Sequence, residues 1–219
     1  MNSEQNISPE KAFEQFNKIR FINSIPDSIA NYGVQCGMTD FFDILDMNCG
    51  AVPDGEMNQV IDPAAPVQFL SLYTKISQDR FAMTVIQVAR LSPVCKNAIC
   101  QFIADIGRQN QLSAGAQNTE NAQNAEHAPD IPNTPVQAFE ILQSIVLDGM
   151  PETPPEIICK NETAIIWKKT GASTEESWQK FGGDISFYNE LLKIFADNLF
   201  EPNGLTFTAE NGLYKIALK

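Results

Sequence analysis

Apolar side chains recur at helical spacing through the first half of the chain. They switch to strict alternation only at the C-terminal end. Ser8-Pro9 provides a cap and a first-turn proline, and Ala12, Phe13, Phe16 and Ile19 follow on one face of the predicted helix. A turn-rich connection leads to Thr39, which caps a short helix from Asp40 to Met47. There Phe41, Phe42, Ile44 and Leu45 oppose Asp40, Asp43 and Asp46. The Gly, Pro and Asp residues that follow predict an irregular loop. Helices are expected over Pro63–Ile76 and Gln78–Leu91; the second is apolar over most of its circumference and so belongs in a core. Ser92-Pro93 repeats the start signal, with Cys95, Ile99, Phe102, Ile103 and Ile106 on one face. Residues 1–112 therefore read as an all-α bundle of about five helices.

Between 113 and 134 the pattern stops. SAGAQNTENAQNAEHAPDIPNT holds almost no large apolar side chain, so it cannot offset the entropy of being ordered and reads as a flexible polar linker. As a coil it would reach about 25 Å. Residues 135–219 then predict a small α+β domain. Thr134-Pro135-Val136-Gln137 combines cap, first-turn proline and capping-box signals for a helix that stops at Gly149. The β-branched stretch 157–169 reads as one bent strand or a hairpin around Lys160-Asn161-Glu162. Ser173 with Glu176 starts a short helix ending near Gly182, and Ser186 caps another over Phe187–Phe200.

At the C-terminus, Asn211-Gly212 is the preferred dipeptide of a type I′ turn. Folding about it pairs Ala209 with Tyr214, Phe207 with Ile216 and Leu205 with Leu218, all on one face. A slip of one residue would mix the faces, so turn and pattern agree on one register. The class predicted is α+β: an N-terminal helical bundle followed by a small domain ending in a β-hairpin. The order helix, strand, helix, helix, hairpin in that domain is winged-helix-like, an analogy of topology that carries no function by itself.

Charge and chemistry narrow the function. The net charge is −12. It is spread over 8 basic and 12 acidic residues in 1–112, 3 acidic ones in 113–134, and 7 basic and 12 acidic ones in 135–219. An even negative field disfavours nucleic acid and anionic lipid. No apolar run approaches the ~20 residues of a membrane span, and the polar N-terminus lacks a secretory h-region. The five cysteines are scattered, with no CxxC pair, which suits free thiols in a cytoplasmic setting. On that reading Asn6 and Asn161 match the glycosylation triplet by chance.

His127, the one histidine, falls in the linker, which removes Cys-His and Ser-His catalysis; a Ser-Lys arrangement stays open. No phosphate-loop, dinucleotide, zinc-protease or nucleophile-elbow motif occurs. Asp40, Asp43, Asp46, Asp54 and Glu56 form the one acidic cluster, the basis of a third reading as a carboxylate-based divalent-metal enzyme. Asp46-x-Asn48-x-Gly50 opens like a calcium loop, but Gly, Ala and Met57 occupy its fifth, sixth and twelfth positions. Acids on a solvated helix face near its N-terminus explain the cluster more simply.

No cofactor is called for, and a non-enzymatic role is favoured. The reading is a cytoplasmic adaptor that binds another protein, with Trp178, Tyr188 and Lys193 as the candidate contact residues. The alternative is a winged-helix-like, nucleic-acid-associated accessory protein. Its recognition helix would show Glu190, Asp197 and Glu201 against Lys193, an arrangement better suited to binding protein than reading DNA.

Overall fold

In the computed structural model, the Ser8 hydroxyl accepts the Lys11 N–H at 3.4 Å and Pro9 opens the first helix, so the start signal is used as read. The structure describes residues 7–117, 134–147, 150, 153–170, 173–210 and 212–219. Among them are eight α-helices and a four-stranded antiparallel sheet, an α+β fold with a helical N-terminal part. Asn6, His127, most of the expected linker, Gly149 and Asn211 lie outside the described residues.

Helix α1 (Pro9–Gln35) is far longer than its periodicity predicts and continues through Pro26. Ile25, Pro26, Ile29, Ala30 and Gly33 are buried along it, and that burial outweighs the backbone bond the proline removes. At Gly33 the packing leaves no room for a side chain, since a Cβ would meet Val88 at 2.8 Å and Met38 at 2.9 Å. Phe13, expected on the apolar face, is exposed. Helix α2 (Phe41–Cys49) is preceded by Asp40 in the left-handed region, not by a capping Thr39. A one-turn helix α3 (Met57–Val60) occupies part of the expected loop.

The two helices expected over 63–91 are one, α4 (Pro66–Leu91). The polar run Ser77-Gln78-Asp79-Arg80 at the supposed break is buried mid-helix. Helix α5 (Pro93–Gln117) runs through residues 113–117, into the sequence expected to be linker. Next come α6 (Pro135–Ile145), β1 (Glu156–Lys160), β2 (Ala164–Lys168), α7 (Ser173–Lys180) and α8 (Ile185–Phe200). A 3-10 turn then leads to β3 (Leu205–Glu210) and β4 (Leu213–Leu218).

Packing divides the chain into two units that interleave in sequence. Unit 1 is Met1–Lys96, Ser144–Pro154 and Gly171–Asp184; unit 2 is Asn97–Gln143, Pro155–Thr170 and Ile185–Lys219. These units differ from bodies at 1–112 and 135–219 joined by a linker at 113–134. The reason lies in α4, which is buried over so much of its circumference that α1 and α2 cannot cover it alone. Helix α7 supplies further cover from far along the chain. Within unit 1, Ala12, Phe16, Ile19, Ile61, Leu70, Tyr73 and Leu147 form a core cluster.

Unit 2 is built on the sheet, in the order β1-β2-β4-β3. The C-terminal hairpin has the predicted register: Leu205 opposite Leu218, Phe207 opposite Ile216, Ala209 opposite Tyr214. Gly212 has φ +74, as the turn requires. Stretch 157–169 resolves into the hairpin alternative, β1 with β2. Trp167 is its centre, with ring centroids 4.8 Å from Phe139, 5.8 Å from Tyr214 and 6.1 Å from Phe207. Because α7 groups with unit 1, the winged-helix-like order lacks its second helix within unit 2 and gains a strand.

Candidate functional site

A polar run in a buried helix must find partners, because an unpaired buried charge is strongly unfavourable. In unit 1 they come from distant sequence. Asp79, 4% exposed, accepts bonds from Lys180 Nζ at 2.7 Å, Lys75 Nζ at 3.0 Å and Ser177 Oγ at 2.6 Å. Burial raises its pKa, but those three donors outweigh burial and hold the carboxyl below the usual aspartate value. Gln78 donates to the Leu147 carbonyl and to Thr174 Oγ1. Arg80 pairs with Asp46 and donates to the Gly50 carbonyl at 2.9 Å.

This network contains a Ser-Lys arrangement of the kind left open by the sequence. Lys75 donates to Ser177 Oγ at 3.0 Å and is ion-paired with Asp79 at 3.0 Å. Ser177 is fully buried and passes its own proton toward Asp79. The constellation ties α7 to α4.

The acidic cluster is likewise committed or dispersed. Asp46, first position of the calcium-like loop, is taken by Arg80, and Arg80 also occupies the Gly50 carbonyl. The Glu56 N–H is held by Gln59 Oε1 at 3.1 Å in a helix start. Among the described residues no group of three or more His, Cys, Asp or Glu side chains is placed to hold a metal ion, so Asp40, Asp43, Asp46, Asp54 and Glu56 do not converge.

The three candidate contact residues fall in different surroundings. Trp178 is 1% exposed in unit 1, with its ring edge-on to Phe81, and anchors core instead of surface. Tyr188, also buried, lies in unit 2 beneath Lys169, whose Nζ is 4.5 Å from the ring centroid and donates to the hydroxyl at 3.2 Å. Lys193 alone is exposed. It borders an open cleft of about 330 Å³ shared with Asp197, Asn198, Glu201, Thr206 and Lys219, and is ion-paired with Asp197.

Sequence reasoning missed the sheet edge. Strand β1 pairs only with β2 among the described residues, leaving its other side as an edge of the sheet. The register slips between Ile157 and Cys159, so Ile158 is bulged; Ile157 is 42% and Ile158 53% exposed. Asn161 fixes the adjoining turn: its Oδ1 accepts the Thr163 and Ala164 N–H groups at 3.0 and 2.8 Å. That gives Asn161 a structural role inside its glycosylation-like triplet. An apolar edge between Glu156 and Lys160 offers backbone groups and two isoleucines to an extended partner. Its signal, an Ile-Ile pair in a charged five-residue strand, does not alternate and so escapes a periodicity search.

Helices long and apolar enough to cross a membrane are absent among the described residues. Comparison with family models, curated proteins and solved structures finds no match to this chain.

Proposed function

We propose that this chain is a non-enzymatic adaptor that binds another protein along the β1 edge of unit 2. The observation that carries the reading is the pair Ile157 and Ile158, both more than two-fifths exposed on a strand with one unpaired side among the described residues. Edge strands are ordinarily shielded because they recruit other strands, and an apolar one is suited to accept an extended segment. Wiring of the Ser-Lys pair toward structure, and of Asp46 toward Arg80, supports a role without turnover. Five free thiols support a reducing, cytoplasmic setting.

The test compares proteins captured from native cells by the wild-type chain, by an Ile157→Lys/Ile158→Lys variant and by Lys193→Ala. The partner set is expected to disappear with the double substitution and to persist with Lys193→Ala, both variants keeping wild-type circular dichroism. Identical capture by all three removes the edge as the docking site. Salt-sensitive retention of the chain on duplex DNA would move the reading to the nucleic-acid-associated alternative.

A further inference from the structure

Cys36 and Cys95 are 59 residues apart in sequence, yet their sulfurs lie 3.6 Å apart in unit 1. Cys36 is the C-cap of α1 and is exposed; Cys95 is the third residue of α5 and is 4% exposed. Ser92 organises the buried thiol twice, accepting the Cys95 N–H at 3.2 Å and donating its hydroxyl to Cys95 Sγ at 3.2 Å. Tyr32, one turn before Cys36, lies near enough to both thiols for their titrations to affect one another. A sulfur in the first turn of a helix, hydrogen-bonded by a serine, has surroundings that favour a thiolate. Those bonds, that of Ser92 above all, draw the Cys95 pKa below the usual thiol value, whereas burial raises that of Cys36. Of the other cysteines, Cys49 meets Met83 and Cys159 meets Asn161.

We propose that Cys36 and Cys95 form a dithiol–disulfide site that exchanges with low-molecular-weight disulfides of the glutathione class. The exposed Cys36, as thiolate, attacks one sulfur of the small disulfide and expels the first small thiolate, forming a mixed disulfide. The Cys95 thiolate then attacks the Cys36 sulfur, expels the second small thiolate and closes the Cys36–Cys95 bond. The two protons released by the protein thiols pass to the two departing thiolates. The protein loses two electrons, and one small disulfide becomes two small thiols. Closure pins the C-terminal end of α1 to the first turn of α5, and excess reduced thiol reverses it.

The experiment uses the full chain, incubated with oxidised glutathione, acid-quenched, and read by intact mass and peptide mapping. The expected product is about 2 Da lighter than the reduced chain, with residues 36 and 95 linked, and returns to the starting mass in excess reduced glutathione. Cys95→Ser should instead accumulate a lasting glutathione adduct on Cys36, and Cys49→Ser should behave as wild type. A lasting Cys36 adduct on the wild-type chain, a link between other cysteines, or no reaction after hours overturns the proposal. Because the wild-type measurement needs no substitution, failure of a variant to fold leaves the test intact.

Discussion

The two units solve the problem of a stable interior differently. Unit 2 gathers aromatic rings around Trp167, and much of that core comes from strands adjacent in the chain. Unit 1 closes around a helix that buries Ser77, Gln78, Asp79 and Arg80 in succession, and draws on Asp46, Leu147, Thr174, Ser177 and Lys180 as partners for Gln78, Asp79 and Arg80. Apolar contacts are non-directional and tolerate adjustment; buried charges are stable only with all partners in place. The difference teaches that unit 1 is conditional on distant segments in a way the C-terminal hairpin is not.

Each unit holds one tryptophan, Trp167 in unit 2 and Trp178 in unit 1, so fluorescence can follow them separately. The largest expected effect is Trp167→Ala, a loss of about 3–5 kcal/mol read by denaturant unfolding. A loss below 1 kcal/mol would show that the aromatic cluster does not hold unit 2.

Next is Asp79→Asn, which removes the shared acceptor of Lys75, Lys180 and Ser177 and should cost unit 1 about 1–3 kcal/mol. Because the Asp79 pKa is lowered in the folded chain, its contribution is full above the ordinary aspartate range and is lost as pH falls through the folded value. In a Trp167→Phe background, Trp178 emission should therefore report an acid-induced loss that Asp79→Asn reduces. An unchanged acid limb would break the assignment.

Gly107→Ala probes unit 2 at a close approach of two helices. A Cβ there would lie 2.6 Å from the Phe195 carbonyl oxygen and 3.0 Å from Asn198 Cβ, so α5 and α8 must separate. A cost of about 1–3 kcal/mol is expected, measured by thermal unfolding. The smallest effect is chemical. Burial, with the Asp79 charge behind it, pushes the Cys49 thiol up to about 11, so at neutral pH iodoacetamide should label it far more slowly in the folded chain than in denaturant. Equal rates would mean that the surroundings of Cys49 open readily.

What could be read from the sequence follows the same division. Ala209, Tyr214 and their neighbours announce the C-terminal hairpin because turn chemistry and alternation act within ten or so residues. Ser8-Pro9 and Thr134-Pro135 mark true helix starts for the same local reason. The continuity of α4 was hidden: Ser77-Gln78-Asp79-Arg80 looks like a break unless Ser177 and Lys180 are known to face it. Pro26 within α1 is a breaker overridden by burial. As for contact residues, aromatic character singled out Trp178 and Tyr188, which the cores absorb. Ile157 and Ile158 carry no polar or aromatic mark and gain meaning only from their place at a sheet edge.

The capture of α7 by α4 has a consequence for biosynthesis. Asp79 leaves the ribosome 98 residues before Ser177. At ordinary elongation rates that is a wait of about 5–20 s. Through that interval Asp79 has Lys75 as a partner but still lacks Ser177 and Lys180, while Arg80 already has Asp46 and the Gly50 carbonyl.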